Sequence, residues 1–555
     1  MGIPIKQIEP QLISDFVSVK KKKKTESAPE LPKPTKLKPQ PEKIQIKPKK
    51  PILALIAAFF YFVFLLSALT VCGTIIWLSI LPLKYLSVVI AFIIILAAIL
   101  GYFTFKRPST KKTKKKSKKH AKAKSTKGKA SVKTKTGRLT KIICIFFDLL
   151  FTAILGIIYV YLNHTIGFMD SIQASEYQID NYYILVKKTS RFTTLEELDG
   201  HSVAVYDDGS ENYEKAFGML KEKVSLTATD WGSVTNAVNA TINGSSDSLF
   251  IKSSLTESLS EFMDNFSIDN FNILDTIEIK TEITTTADSN INISEDSFNI
   301  FISGIDTYGT ISTVARSDVN MIVTVNPRTH TVLLTSIPRD FYVQLHGTTG
   351  LKDKLTHAGL YGINMSINTI QDLFNIKIDY FIRVNFDSTI YLINALGGID
   401  ITPDFTFSRW INGHYCYYEE GVTNHLDGLC ALRYARERKA YGAGDLHRIQ
   451  NQQEVLVAII DKLTSSKVLL ARYTEILSSL SGTLETNIPS SQIYKLVNNQ
   501  LDTMPSWKIE RIATTGTHID APTYTFGSQL LYVFVPDMES VAKAAKKIEA
   551  VMSAN

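Results

Sequence analysis

The sequence predicts an α/β protein that is exported on three membrane-spanning helices. Three observations carry that expectation. Three apolar runs in the first third of the chain are each long enough to cross a bilayer. The basic charge is confined to the segments beside them. Strand and helix periods then alternate through the residues that follow.

Residues 1–50 hold thirteen Lys/Arg against five acids and mix the lysine run 20–24 with Pro-rich text. Such a composition cannot bury a core, so a disordered basic tail is expected. Residues 51–81 are apolar and uncharged. Residues 85–105 repeat this after the break Leu81-Pro82-Leu83-Lys84, and residues 142–162 form the third run, with Asp148 inside it. A helix needs about 20 residues to span hydrocarbon, and each run supplies them. No cleavable leader is expected, since the first apolar run begins after fifty polar residues.

Residues 106–141 carry seventeen Lys/Arg and no acid. Basic segments stay in the cytoplasm, which places this loop and the tail on one side of the membrane. The first two spans then form a hairpin with Lys84 at its outer tip, and the third exports everything beyond it. The net charge of +8 therefore hides an acidic exported part. The lysines lack interleaved aromatics, so they suit anionic lipid of the inner leaflet and no nucleic acid partner is expected. Asp148 is expected to snorkel or to pair a neighbouring helix, with a functional intramembrane acid as the sharper alternative.

Residues 164–295 read as a small α/β accessory domain: strands at 182–186 and 202–206, a helix at 212–223. Its phrase Leu195-Glu196-Glu197-Leu198-Asp199-Gly200 weakly resembles the opening of a solute-binding-protein lobe. Residues 296–555 read as the catalytic domain with a C-terminal extension. A buried strand ends near Gly304, a hairpin turns at Asn326-Pro327-Arg328, and 364–374 has a helical apolar stripe. Strict alternation marks 378–386 as a strand, and 448–463 reads as the last clear helix of the site region. Cys72 and Cys144 sit in the spans. Cys416 and Cys430 lie outside, where a disulfide can persist, and the sequence leaves their pairing open.

The chemistry gathers in three clusters: Asp306 with Arg316-Ser317-Asp318, Pro338-Arg339-Asp340, and Arg436-Glu437-Arg438 followed by Asp445, Arg448 and Gln452. Guanidinium forks match phosphate oxygens, and carboxylates among them suit a divalent metal. A pyrophosphate with magnesium fits both. Arg436 and Arg438 would share one side of an extended chain, as would Arg316 and Asp318 on a strand; Arg448 and Gln452 would share a helix face. Asp445 stands where it could cap that helix. Arg339 and Asp340 point oppositely on a strand, so Arg339 is expected in the cleft and Asp340 behind it.

These clusters, with Lys354-Leu355-Thr356-His357-Ala358 and Leu426-Asp427-Gly428, resemble the LytR–CpsA–Psr family of cell-wall glycopolymer ligases over about residues 296–465. The resemblance implies an α/β/α sandwich outside the membrane. It implies transfer of a glycopolymer, a teichoic acid or capsular polysaccharide, from a polyprenyl-pyrophosphate carrier to a peptidoglycan sugar hydroxyl. It assigns Asp306 and Asp318 to Mg2+ (or Mn2+), and Arg316, Arg339, Arg436, Arg438, Arg448 and Gln452 to the pyrophosphate or nearby sugar. Arg339 is counted with the catalytic residues, and Asp306 or Asp445 would take the hydroxyl proton. One departure is Asn451, where the family often has arginine. An apolar slot for the lipid is expected between strand 378–386 and helix 364–374. Two other readings are a lipid-pyrophosphate hydrolase and a non-enzymatic membrane-bound regulator.

Overall fold

The computed structural model describes residues 52–79, 81–106, 135–174, 177–283, 291–305, 311, 314–411, 413–438, 440, 445–464, 475–476 and 478–555. The tail 1–50, most of the loop 106–141 and Asp306 lie outside the described residues, as does the side chain of Asp445.

Three helices long and apolar enough to cross a membrane open the described chain: α1 (Ile52–Leu78), α2 (Leu83–Phe105) and α3 (Lys135–Ile172). Asp148 is fully buried, so its carboxyl turns into the helix bundle instead of reaching outward, and of the two plain expectations helix pairing describes it.

The accessory unit contains β1 (Tyr177–Lys187), β2 (Ser202–Val205), α4 (Glu211–Lys223), β3 (Thr227–Asp230), α5 (Val234–Ile242), β4 (Ser248–Lys252), α6 (Ser253–Phe262) and β5 (Phe271–Glu282). Its five strands run in the order β3-β2-β4-β1-β5. Ser210 and Ser233 cap α4 and α5 by accepting from Tyr213 and Asn236 backbone N–H groups.

The larger unit follows: β6 (Phe298–Ile305), β7 (Ser317–Asn326), β8 (Thr331–Ile337), β9 (Tyr342–Val343), β10 (Asp353–Lys354), α7 (Leu355–Ala358), α8 (Ile363–Phe374), β11 (Tyr380–Val384) and α9 (Phe386–Ala395). Then come β12 (Ile399–Ile401), β13 (Phe407–Ile411), β14 (His414–Tyr418), β15 (Asn424–Leu426), α10 (Gly428–Ala435) and α11 (Asp445–Thr464). The chain closes with β16 (Leu484–Thr486), α12 (Ser490–Thr503), β17 (Lys508–Ala513), β18 (Gly516–Thr523), β19 (Gly527–Pro536) and α13 (Met538–Ser553).

Six strands form its central sheet in the order β16-β11-β6-β7-β8-β17. Alternation along each strand gives the sheet two apolar faces. Phe301, Ile322, Leu333 and Phe381 go to one side and meet Ile367, Ile370 and Phe374 of α8 and Val541, Ala544 and Ile548 of α13. Ile300, Met321, Val323, Leu334 and Tyr380 go to the other and meet Leu456 and Val457 of α11 and Ile493 and Leu496 of α12. The result is the α/β/α sandwich.

The membrane helices are fastened to this unit. Tyr494, Asn498 and Asp502 recur every four residues on α12 and so share one face. Tyr494 packs with Leu78, Phe168, Met169 and Ile172. Asn498 donates to the Ser79 carbonyl at 2.8 Å, and Asp502 pairs with Lys84 at 2.9 Å. Beyond α3, the Ala174 N–H donates to the Thr486 carbonyl of β16 at 2.7 Å.

Cys416 of β14 and Cys430 of α10 are joined in a disulfide across a sequence separation of 14. Closing a loop of that size restricts the unfolded chain by about 3 kcal/mol. Cys416→Ser/Cys430→Ser is therefore expected to lower the melting temperature measurably. An unchanged melt, with and without reductant, would argue that the bond adds nothing.

Candidate active site

Between the sheet and helices α9, α10 and α11 lies a cavity of about 730 Å³. Its lining changes character from one end to the other. Helix α11 shows how: Arg448 and Gln452 come first, then Val455, Leu456, Ile459, Ile460 and Leu463 follow at helical spacing on the same side. The sheet contributes Ile302, Met321, Ile382 and Val384. Six arginines (Arg339, Arg409, Arg433, Arg436, Arg438 and Arg448) and two acids, Asp318 and Glu437, supply the charged part of the described lining.

Arg339 follows Pro338 directly after β8, and its Nη1 donates to both carboxylate oxygens of Asp318, at 2.7 and 2.8 Å. Asp340 stands behind, 3.5 Å from Arg339 Nε and 3.0 Å from Lys354 Nζ. Thr356 Oγ1 also donates to Asp318, at 3.3 Å. Burial works against ionisation of Asp318, yet the guanidiniums of Arg339, Arg316 and Arg438 outweigh it and hold its carboxyl below the usual carboxylate range. Asp318 is thus an ionised oxygen donor at the cavity wall, the chemistry a hard divalent cation takes.

Arg316 is buried beside Asp318, just ahead of β7, and does not line the cavity. Its backbone is set by Gly359: a Cβ there would lie 2.5 Å from the Ala315 carbonyl oxygen and 2.8 Å from Ser317 N. Gly362, at φ 102°, turns the chain from that contact into α8 against Gln178 of the accessory unit. Chain 359–362 therefore ties the accessory unit to the strand that carries Asp318.

Arg436 and Arg438 both line the cavity, but not by the expected geometry. Arg436 is the helical C-cap of α10, so no extended strand aligns the pair. The Arg436 guanidinium lies 4.0 Å from the Phe386 ring centroid. Asp445 opens α11. Asn451 is buried, donates to the Tyr434 carbonyl at 3.0 Å and does not line the cavity.

The sequence reading missed three groups. Arg409 of β13 pairs with Glu437 at 2.7 Å, and Arg433 of α10 pairs with the same acid at 3.1 Å. Glu437 is fully buried. Burial would raise its pKa, but the bond from Arg409, the Ala440 N–H and the charge of Arg433 bring it below its ordinary value. It anchors two cavity arginines at once. Arg433 stands three and five residues before Arg436 and Arg438, a signal that was present in the sequence; for Arg409 there was none.

The slot also differs from expectation. Helix α8 packs on the opposite face of the sheet with α13 and takes no part in it. Of strand 378–386, only Ile382, Val384, Asn385 and Phe386 line the cavity.

The family model described as the LytR_cpsA_psr family matches residues 267–547. The chain is 32% identical over 264 residues to the polyisoprenyl-teichoic acid–peptidoglycan teichoic acid transferase TagV of Bacillus subtilis (strain 168), covering 47% of this chain and 66% of that protein. It is 32% identical over 272 residues to Biofilm regulatory protein A of Streptococcus mutans, covering 46% and 66%. It is 30% identical over 240 residues to the teichoic acid transferase TagU of Bacillus anthracis, covering 43% and 74%. The match thus spans just under two thirds of the first two relatives.

Proposed function

Because this chain belongs to the LytR_cpsA_psr family, we propose that it is a membrane-held phosphotransferase. It moves a teichoic acid or capsular polysaccharide from a polyprenyl-pyrophosphate carrier to a sugar hydroxyl of peptidoglycan. One observation carries this: a single cavity offers six arginines in one part and a hydrocarbon lining in the other. A lipid pyrophosphate has that same division.

In the reaction the acceptor oxygen bonds to the phosphorus that bears the glycan. The bridging P–O bond of the pyrophosphate breaks, and polyprenyl phosphate leaves. Arg339, Arg436, Arg438 and Arg448 neutralise the pyrophosphate as charge builds on the leaving oxygen, with Gln452 beside them. Asp318 aims Arg339, and Glu437 holds Arg409 and Arg433 in place. Asp306 or Asp445 takes the hydroxyl proton. Arg316 acts from behind Asp318. Asp318, with Asp306, would hold a magnesium or manganese ion, which would add charge neutralisation at the phosphates. The Lys-rich segments face the cytoplasm and the catalytic domain faces the wall.

Full-length protein in lipid, given polyprenyl-pyrophosphate-linked glycan and peptidoglycan, is expected to put glycan into the wall fraction and to release polyprenyl phosphate. Glycan phosphate freed into solution with none in the wall would establish the hydrolase reading instead. Excess chelator is expected to stop the reaction, with magnesium restoring it; full transfer in chelator would remove the metal from the mechanism.

A further inference from the structure

We propose that the outer face of the β13–β14 hairpin is a binding platform for the uncharged glycan strand of the acceptor. Register gives the hairpin two faces. Phe407 pairs with Tyr418 and Arg409 with Cys416; Ser408 pairs with Tyr417 and Trp410 with Tyr415. The first set points inward. Phe407 and Tyr418 stack at 4.3 Å, Cys416 is bonded to Cys430, and Arg409 holds Glu437. The second set faces solvent: Trp410 is 72% exposed, and Tyr415 and Tyr417 are each 49% exposed. The Trp410 and Tyr415 rings lie 5.0 Å apart. Aromatic rings left together in water, on a hairpin stapled rigid from behind, mark a surface that meets a partner.

Charge and position select the partner. Ser408, Trp410, Tyr415 and Tyr417 carry no cation, and the exposed acids Glu419 and Glu420 follow directly. An anionic donor polymer or an anionic lipid surface is repelled there. A neutral N-acetylated sugar is not: its C–H faces stack on rings while its hydroxyls stay in water. The hairpin is also continuous with the catalytic cavity. Arg409, next to Trp410 in the strand, turns to the opposite face and lines the cavity. A glycan strand lying on the rings would be held by the same hairpin whose inward face lines the cavity.

The inference rests on the transferase reading and is tested separately from it. Full-length protein in nanodiscs is titrated with a soluble β-1,4-linked N-acetylhexosamine oligosaccharide, and acceptor and donor kinetics are measured in parallel. Trp410→Ala/Tyr415→Ala is expected to weaken oligosaccharide binding and raise the acceptor KM about tenfold, with kcat and donor KM unchanged. Trp410→Phe is expected to recover most of the loss, and both variants to keep the wild-type melting temperature. Unchanged binding and acceptor KM overturn the platform. A change confined to donor KM, or one that follows nanodisc lipid composition, overturns it in favour of the donor polymer or the membrane. Lost oligosaccharide binding in a protein that proves to transfer nothing would support the platform and refute the transferase.

Discussion

Arg339→Ala is expected to reduce kcat/KM for transfer by about a thousandfold, the scale seen when one preorganised donor is removed from a developing oxyanion. Two effects add. The fork that meets the pyrophosphate is lost, and Asp318 loses the partner bonded at 2.7 and 2.8 Å. Asp318 is then a buried carboxylate with weaker compensation, so its pKa rises from its lowered position. The variant is expected to fold but to be destabilised by roughly 3 kcal/mol, because the Arg339 side chain is only 13% exposed and its ion pair is largely desolvated. Arg339→Lys separates the two effects: it keeps the charge for Asp318 but not the planar fork. It is expected to recover stability more than activity. Melting curves with single-turnover transfer assays make the comparison. Normal transfer by Arg339→Ala would mean the pyrophosphate sits elsewhere.

The second large effect belongs to the apolar end. Ile460 lines the cavity from α11. Ile460→Trp adds an indole to the space proposed for the lipid chain and is expected to raise the KM for a long polyprenyl carrier about tenfold or more. A short-chain pyrophosphate analogue, seated only among the arginines, is expected to react as before. Equal impairment of both substrates would mean that the indole had disturbed the arginines and not the slot. No impairment of either would mean the lipid does not enter.

Much of the site was legible in the sequence because its residues fall in short motifs with distinctive chemistry. Asp318, Arg339, Arg436, Arg438, Arg448 and Gln452 all line one cavity. Arg339 lines the cavity and Asp340 does not, but the two lie in a turn beyond β8 and their side chains meet at 3.5 Å, so the strand alternation expected to separate them does not apply. What was not legible depended on the third dimension. Glu437 reads as an acid caught between two arginines, and only its burial shows that it anchors Arg409 from a distant hairpin. The stripe on α8 establishes that the helix has an apolar face. It does not say which side of a two-faced sheet that face covers, which is why α8 was expected beside the cavity and lies on the opposite face. Local alternation gave pieces of the accessory unit, but not the antiparallel β1 between β4 and β5, since pairing partners are set by distant residues.

The fastening of α12 to Ser79 and Lys84, and of β16 to the chain leaving α3, has a consequence for where the enzyme can work. A domain on a loose tether sweeps a hemisphere; one gripped at several points keeps a constant altitude. On the proposed function, carrier lipid and protein then meet as partners drifting in a single plane, where encounter depends on lateral density and not on volume concentration. Only strands of the wall that pass at the height of the Arg409 hairpin come within range. On the proposed function, the anchor itself selects the innermost, most recently laid glycan, by distance and before any chemical recognition begins.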